Sequence, residues 1–445
     1  MSKRDLTTGS IPGNLIRLSL PMMLGIISMV AFNLIDTYFV GKLGEKELAA
    51  LTFTFPIILV IFSIVQGLGM GATALIAKSI GRNDRKKAAR ETTDSIILTL
   101  LLTGSFIIVG LISVGQVLTI LGADGETAAM AKEYLQIWFV ALFFVSVPFV
   151  GNSAIRATGD TQTPTYIMLF AVVVNAILDP ILIFGYFGFP ALGLKGAAIA
   201  TAISRGLTLV FSLYILIRRD KLITFEIPTR QVIIGCWKSI LYIALPSGLA
   251  RLVVPIATGV ITALLASYGE FAVAAYGVGS RIEFLANSVI FALAACIGPF
   301  VGQNLGKGRL DRVRESVKLS NRFAFVWGLI AWGLLALGAR FIAGIFNNHE
   351  EVIDTVQLFL WIVPAGFGLQ GILSIINSNL NTINKPLQAS FIIVVQMLVL
   401  GLPAIYLGKS LYGVQGIFVG IAFTYALGGM LSMVINKRIM DQFKG

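Results

Sequence analysis

Two carboxylates stand where a charge is expensive to bury: Asp36, in the apolar run from Asn14 to Val40, and Asp179, in the run from Pro164 to Tyr186. Each lies fifteen residues past a proline, Pro21 in one case and Pro164 in the other. On helices rising 1.5 Å per residue, both acids sit about 22 Å along the axis from those prolines and can share one depth. Acids inside membrane-spanning segments mark functional sites with a partner nearby. Asn175 precedes Asp179 by one helical turn and shares its face. Two carboxylates in a low-dielectric setting resist both being charged, through desolvation and mutual repulsion, and a proton or small cation relieves both effects. That is the chemistry of a coupling-ion site.

The elements that must carry these residues are apolar helices. The chain has 445 residues, 56% hydrophobic and 13% charged, a composition outside the soluble globular range. At about 20 residues per span, twelve helices need roughly 240 residues, which the length accommodates. Apolar runs predict helices near 14–40, 48–78, 93–113, 131–156, 164–186, 193–217, 238–267, 271–303, 320–344, 355–381, 387–408 and 412–435. The longest should tilt or extend past the hydrocarbon. Met1 to Gly13 lacks the apolar core of a signal peptide, so the first run is expected to remain as a helix. Cys236 and Cys296 form no metal-ligand or redox spacing and read as buried thiols.

The formal charge of +12 sorts by position. Outside the spans, Lys42, Lys46, Lys132, Lys195, Arg340 and Lys409 fall on one side, and the other basic residues cluster in the termini and in the alternate loops, most densely at 78–90, 218–238 and 307–322. The positive-inside rule then puts both termini in the cytoplasm and makes the basic balance a matter of topology, with no nucleic-acid surface. Arg205, Arg251 and Arg281 are left inside spans.

The sequence also repeats. Leu20-Pro21, Gly44, Ala49-Ala50 and Gly81 recur 225 residues later as Leu245-Pro246, Gly269, Ala274-Ala275 and Gly306. Pro164 pairs with Pro386, and Gly193 and Gly196 with Gly413 and Gly416, at slightly shorter offsets. The fold expected is an all-α membrane protein of twelve transmembrane helices in two six-helix lobes, related by a pseudo-two-fold axis along the membrane normal around a central cleft. The expected domains are residues 1–217, a cytoplasmic linker at 218–238, and residues 239–445.

With these features together, the chain resembles the multidrug and toxic compound extrusion (MATE) family. The resemblance rests on the two halves, the proline-to-acid spacing of the first helix, Asn175-x-x-x-Asp179, Gly302-Gln-Asn-Leu-Gly306 and Arg156-Ala-Thr-Gly-Asp160, and it covers almost the whole chain. It implies a secondary transporter of the cell membrane that exports cationic and amphipathic small molecules in exchange for protons or sodium ions, with no other cofactor, working as a monomer among membrane lipids. The first-lobe ion site carries over onto Asp36, Asn175 and Asp179, with Thr201 as the hydroxyl on the sixth helix. The predicted seventh and tenth helices carry no interior acid, as in the branch that includes the DNA-damage-inducible (DinF-like) and archaeal members, which couples through its first lobe.

Blander readings stand beside these. Asn175 and Thr201 also suit interhelical hydrogen bonding. Pro21 removes a backbone donor and offers a hinge in the helix that carries Asp36. Arg251, five residues past Pro246, either snorkels to the cytoplasmic face or lines the inner vestibule; Arg205, one turn past Thr201, either contacts substrate or pairs with a carboxylate; Glu283 either contacts a cationic substrate or pairs with an arginine such as Arg251. His349, beside Glu350 and Glu351, reads as solvated. Gly67-Leu-Gly69-Met-Gly71 lies within an apolar run and reads as close helix packing. A lipid-linked oligosaccharide flippase of the same superfamily is the alternative function. An intramembrane enzyme is a remote one, since the chain has no Gly-x-Gly-Asp, HExxH or Walker lysine.

Overall fold

The computed structural model describes residues 5–346 and 349–442. Among them the chain is almost wholly helical. The first half comprises α1 (Ile11–Gly41), α2 (Glu45–Gly81), α3 (Arg85–Ile120), α4 (Gly125–Ala157), α5 (Gln162–Phe184) and α6 (Leu194–Tyr214). The second comprises α7 (Arg230–Ala266), α8 (Glu270–Gly306), α9 (Leu310–Leu337), α10 (Ala339–Phe346), α11 (Glu350–Ile362), α12 (Phe367–Thr382), α13 (Pro386–Val394) and α14 (Leu402–Gln442).

Eleven continuous stretches among the described residues are long and apolar enough to cross a membrane. The last of them, Pro386–Gln442, runs for 57 residues and breaks at Tyr412 and Gly413, whose backbone leaves the helical region, so it supplies two spans and makes up the expected twelve. α11 and α12 form one span, joined by a 3₁₀ turn at Val363–Gly366 that contains Pro364.

Several helices run past their predicted ends. α3 spans Arg85–Ile120 where hydropathy marked 93–113, because the helical hydrogen-bond ladder continues through charged residues that the hydrocarbon does not cover. Its start is set by Asp84, whose carboxylate accepts from the Lys87 backbone N–H at 2.9 Å. The run expected at 320–344 is two elements: α9 ends at Leu337, and α10 follows with Ala339 and Ala343 buried and Phe341 77% exposed. Cys296 is buried as expected, whereas Cys236 is half-buried; no disulfide joins them.

The repeat extends to the backbone. Gly44 and Gly269 have φ of 154° and 110°, Asn83 and Gly308 of 60° and 75°, and Gly159 and Asn384 of 88° and 64°, each pair 225 residues apart. Gly193 (φ 55°, ψ −134°) and Gly413 (φ 60°, ψ −134°) share a conformation that residues with a Cβ avoid.

Contacts divide the chain into two compact units. The first contains Asp5 and residues 24–245; the second contains residues 6–23 and 246–442. These limits differ from the expected boundaries at 217 and 239. The divides fall inside α1, just past Pro21, and inside α7, at Pro246. The reason is packing that chain order does not reveal. Leu6, Ile11, Leu15 and Leu18 enter a core with Ile297, Phe300 and Val313 of the second unit. Ile240 and Ala244 join Leu68, Ala72, Ile76 and Leu216 of the first, and a side chain at Gly71 would lie 2.8 Å from the Ile240 carbonyl oxygen.

The expected linker at 218–238 is shorter as an irregular segment, because α7 already begins at Arg230. That segment is tied to the first unit. Arg219 bridges Asp160 at 2.9 Å and Asp220 at 3.0 Å, Thr224 N–H donates to Thr93 Oγ1 at 3.0 Å, and Arg90 Nη1 donates to the Glu226 carbonyl at 2.7 Å.

Candidate functional site

In the first unit, α1, α4, α5 and α6 carry polar side chains within an apolar surround. Asn175 and Asp179 are fully buried on α5, and Asn175 Nδ2 donates to Asp179 Oδ1 at 3.0 Å. The turn after Asp179 is distinctive, since Pro180 has no N–H to give the carbonyl of Ala176. Asp36 on α1 is half-buried and lies within electrostatic reach of Asp179. α1 approaches α5 closely at Gly25, where a Cβ would lie 3.1 Å from Thr165 Oγ1. Thr201, on α6, is buried.

Four oxygens of these side chains are buried without a hydrogen-bond partner among the described residues: Asp36 Oδ1, Asn175 Oδ1, Asp179 Oδ2 and Thr201 Oγ1. A buried polar atom left unsatisfied costs about 1–3 kcal/mol, more when charged. Each of these oxygens is of a kind that can take a proton or ligate a hard cation, which prefers oxygen ligands.

Arg205 is part of this environment. Its guanidinium carbon lies 4.1 Å from the centroid of the Phe32 ring, and its charge interacts with Asp36, one turn further along α1 from Phe32. Arg205 thus lies within electrostatic reach of Asp36 without forming an ion pair with it among the described residues. Tyr134 on α4 was not anticipated. It is 4% exposed and lies within electrostatic reach of both Asp36 and Asp179. A phenol in an apolar run was the one sequence signal for it.

In the second unit, Glu283 on α8 accepts a hydrogen bond from Tyr425 Oη at 2.7 Å, and Tyr276 is close enough to sense its charge. Ile261, which occupies the position of Asp36 at the 225-residue offset, is a buried core residue. Arg251 and Arg281 are exposed on α7 and α8. The glycines at 67–71 act in packing: a Cβ on Gly69 would meet Ser153 Oγ at 2.8 Å. His349 is exposed at the start of α11.

The twelve apolar spans make this a multi-pass membrane protein, and its relatives, which are named transporters, make it a transporter and not an enzyme. The chain belongs to the MatE family, whose model matches residues 21–181 and 246–407. It is 34% identical over 433 residues to the FAD transporter of Shewanella oneidensis, covering 97% of this chain and 95% of that protein. It is 27% identical over 431 residues to the multidrug export protein MepA of Staphylococcus aureus, covering 95% and 93%. The crystal structure of the Vibrio cholerae MATE transporter VcmN in the bent form superposes with a TM-score of 0.91 at 29% identity over 97% of each chain.

Proposed function

We propose that this chain is a secondary antiporter of the cell membrane that exports amphipathic organic cations in exchange for protons or sodium ions, with Asp36, Asn175, Asp179 and Thr201 as the coupling site and Pro21 as the hinge. The observation that carries the reading is the set of four buried, unpartnered oxygens on α1, α5 and α6. A coupling ion drives transport only if it binds one conformation more tightly than the other. An ion at Asp36 and Asp179 has that effect when α1 changes its bend at Pro21 and thereby alters the distance between the two carboxylates. Both termini are cytoplasmic in this scheme, following the distribution of basic residues.

The test is efflux of a fluorescent organic cation from proteoliposomes under an imposed pH gradient and, separately, a sodium gradient. Stimulation by either gradient that disappears in Asp36→Asn supports the proposal, and stimulation by neither overturns it.

A second reading concerns the substrate. The relative with 34% identity is named for FAD, a dinucleotide with an anionic pyrophosphate and a large aromatic ring. The second unit offers an exposed arginine, Arg281, on a spanning helix, where a charge faces the bundle interior or a water-filled cavity or is paired. Guanidinium groups suit pyrophosphate oxygens. FAD belongs beside the organic cation in the efflux assay, with Arg281→Gln as the variant that separates the two: FAD efflux falls and cation efflux does not.

A further inference from the structure

The stretch Leu6–Gly9 ahead of α1 is held by side chains of the α8–α9 turn through its backbone. Leu6 N–H donates to Gln303 Oε1 at 3.1 Å, and Asn304 Nδ2 donates to the Leu6 carbonyl at 3.1 Å. Arg309 Nη1 reaches the Thr7 carbonyl at 2.8 Å. Arg312 spreads its guanidinium over the carbonyls of Gly9 at 3.0 Å and of Leu6 and Thr8 at 3.3 Å each, and its Nε donates to Asn304 Oδ1 at 3.0 Å. The Phe300 ring lies beneath it, 5.7 Å from Cζ to centroid. Leu6 itself is fully buried in the core of the second unit.

This arrangement is more than is needed to tidy a terminus. A planar guanidinium serving three carbonyls, held in turn by an asparagine, gives a fixed geometry that a lysine cannot reproduce. The residues it holds lead directly into α1. The first turns of that helix pack in the second unit as far as Met23, and the remainder, from Leu24, packs in the first unit and carries Asp36. Pro21, which lacks the N–H that would brace the preceding turn, lies within two residues of that divide.

We infer that Gln303, Asn304, Arg309 and Arg312 are positioning residues for ion coupling. They fix the foot of α1, so that a change at Asp36 is taken up as a bend near Pro21. With the foot loose, the whole helix shifts and the change at Asp36 is dissipated. This rests on the proposed role of Asp36, and the residues act through α1 without touching ion or substrate.

The experiment places a reporter cysteine at Leu24, which is 50% exposed, in a background lacking Cys236 and Cys296. Its rate of thiol labelling in proteoliposomes is measured with and without the coupling ion, alongside ion-driven efflux and equilibrium binding of the same fluorescent substrate. Arg312→Ala and Gln303→Leu should remove the ion dependence of labelling and lower ion-driven efflux about tenfold, with substrate affinity held within about twofold. Arg312→Lys should recover part of the efflux and part of the labelling response. A purely structural role lowers the yield of folded protein and leaves the ion response of the folded fraction intact, and that outcome overturns the inference. Should Arg312→Ala fail to fold, Gln303→Leu, which removes the acceptor of the Leu6 N–H, decides the matter. An ion-independent labelling rate in the unmodified protein overturns the proposed coupling itself and the inference with it; a normal response there together with an equal response in both variants overturns the inference alone.

Discussion

Asn175 donates to one oxygen of Asp179 and leaves the other, Oδ2, buried and unpartnered. The amide thus holds one oxygen of the carboxylate, while the second, like Oδ1 of Asn175, has no hydrogen-bond partner among the described residues. Asn175→Leu removes one of the four oxygens and the donor that orients another. Loss of a hydrogen bond to a charged group is worth about 1.5–3 kcal/mol, so the ion concentration for half-maximal efflux should change by about 10- to 100-fold. Titration of efflux against the ion gradient measures it, and an unchanged midpoint would exclude Asn175 from the site.

The two units differ at one repeat-related position. Asp36 has a buried oxygen without a hydrogen-bond partner in the first, and Ile261 is core in the second. Asp36→Asn should abolish ion-driven efflux with little effect on thermal stability. Ile261→Ala should keep its coupling ratio while losing about 2–5 kcal/mol of stability, as for other large-to-small core changes. Equal loss of coupling in both variants would refute a site confined to the first unit.

Arg205 places a positive charge beside Asp36 and is steadied by Phe32. Replacing it by Gln removes a repulsion felt by any cation that binds there, and should therefore tighten apparent affinity for the coupling ion. The size expected from one partly screened charge is about 1–2 kcal/mol, or roughly 5- to 30-fold. The Phe32→Leu change, which removes the cation–π contact alone, should move affinity less. Weaker ion binding in Arg205→Gln would show that the guanidinium organises the site and does not oppose the ion.

The candidate residues were legible in the sequence for a physical reason. Carboxylates at membrane depth are so costly that Asp36 and Asp179 stood out from their surroundings, and helical periodicity joined Asn175 to one of them. The spans were legible because each must be apolar over a fixed length. What the sequence hid was tertiary. Nothing in a linear pattern distinguishes the half of α1 that packs with Phe300 from the half that carries Asp36, nor pairs Glu283 with Tyr425 across 142 residues. The partners of Tyr134 were hidden for the same cause. Helix ends were missed where charged residues such as those opening α3 and α9 continue the ladder beyond the apolar stretch.

Orientation can be checked directly. Lys86 and Lys307 are exposed in corresponding turns of the two halves. Cysteines there, in the background lacking Cys236 and Cys296, should both react with an impermeant reagent from the cytoplasmic side alone. Reaction from opposite sides would mean that the halves are inverted relative to each other.

Gly193 and Gly413 hold the same strained backbone at the start of the last helix of each half. An alanine at either place forces a Cβ into a conformation that costs about 1–3 kcal/mol. Gly413→Ala, and separately Gly193→Ala, should lower the melting temperature of detergent-solubilised protein, whereas Gly115→Ala, at an open helical position, should not. A melting temperature unchanged by Gly413→Ala would argue that the turn relaxes.

The tie between Leu6 and Gln303 also orders events during synthesis, because 297 residues separate its ends. Closing a loop of that length costs about 5 kcal/mol by the logarithmic chain law. At about 5–20 residues per second, the ribosome makes Leu6 some 15–60 s before Gln303 exists. Through that interval the backbone of Leu6–Gly9 can be satisfied only by water, while the later part of α1 is free to pack with α2 to α6 as they emerge. The helix that carries Asp36 therefore takes its place at the far end first and gains its foothold last, when the turn between α8 and α9 leaves the ribosome.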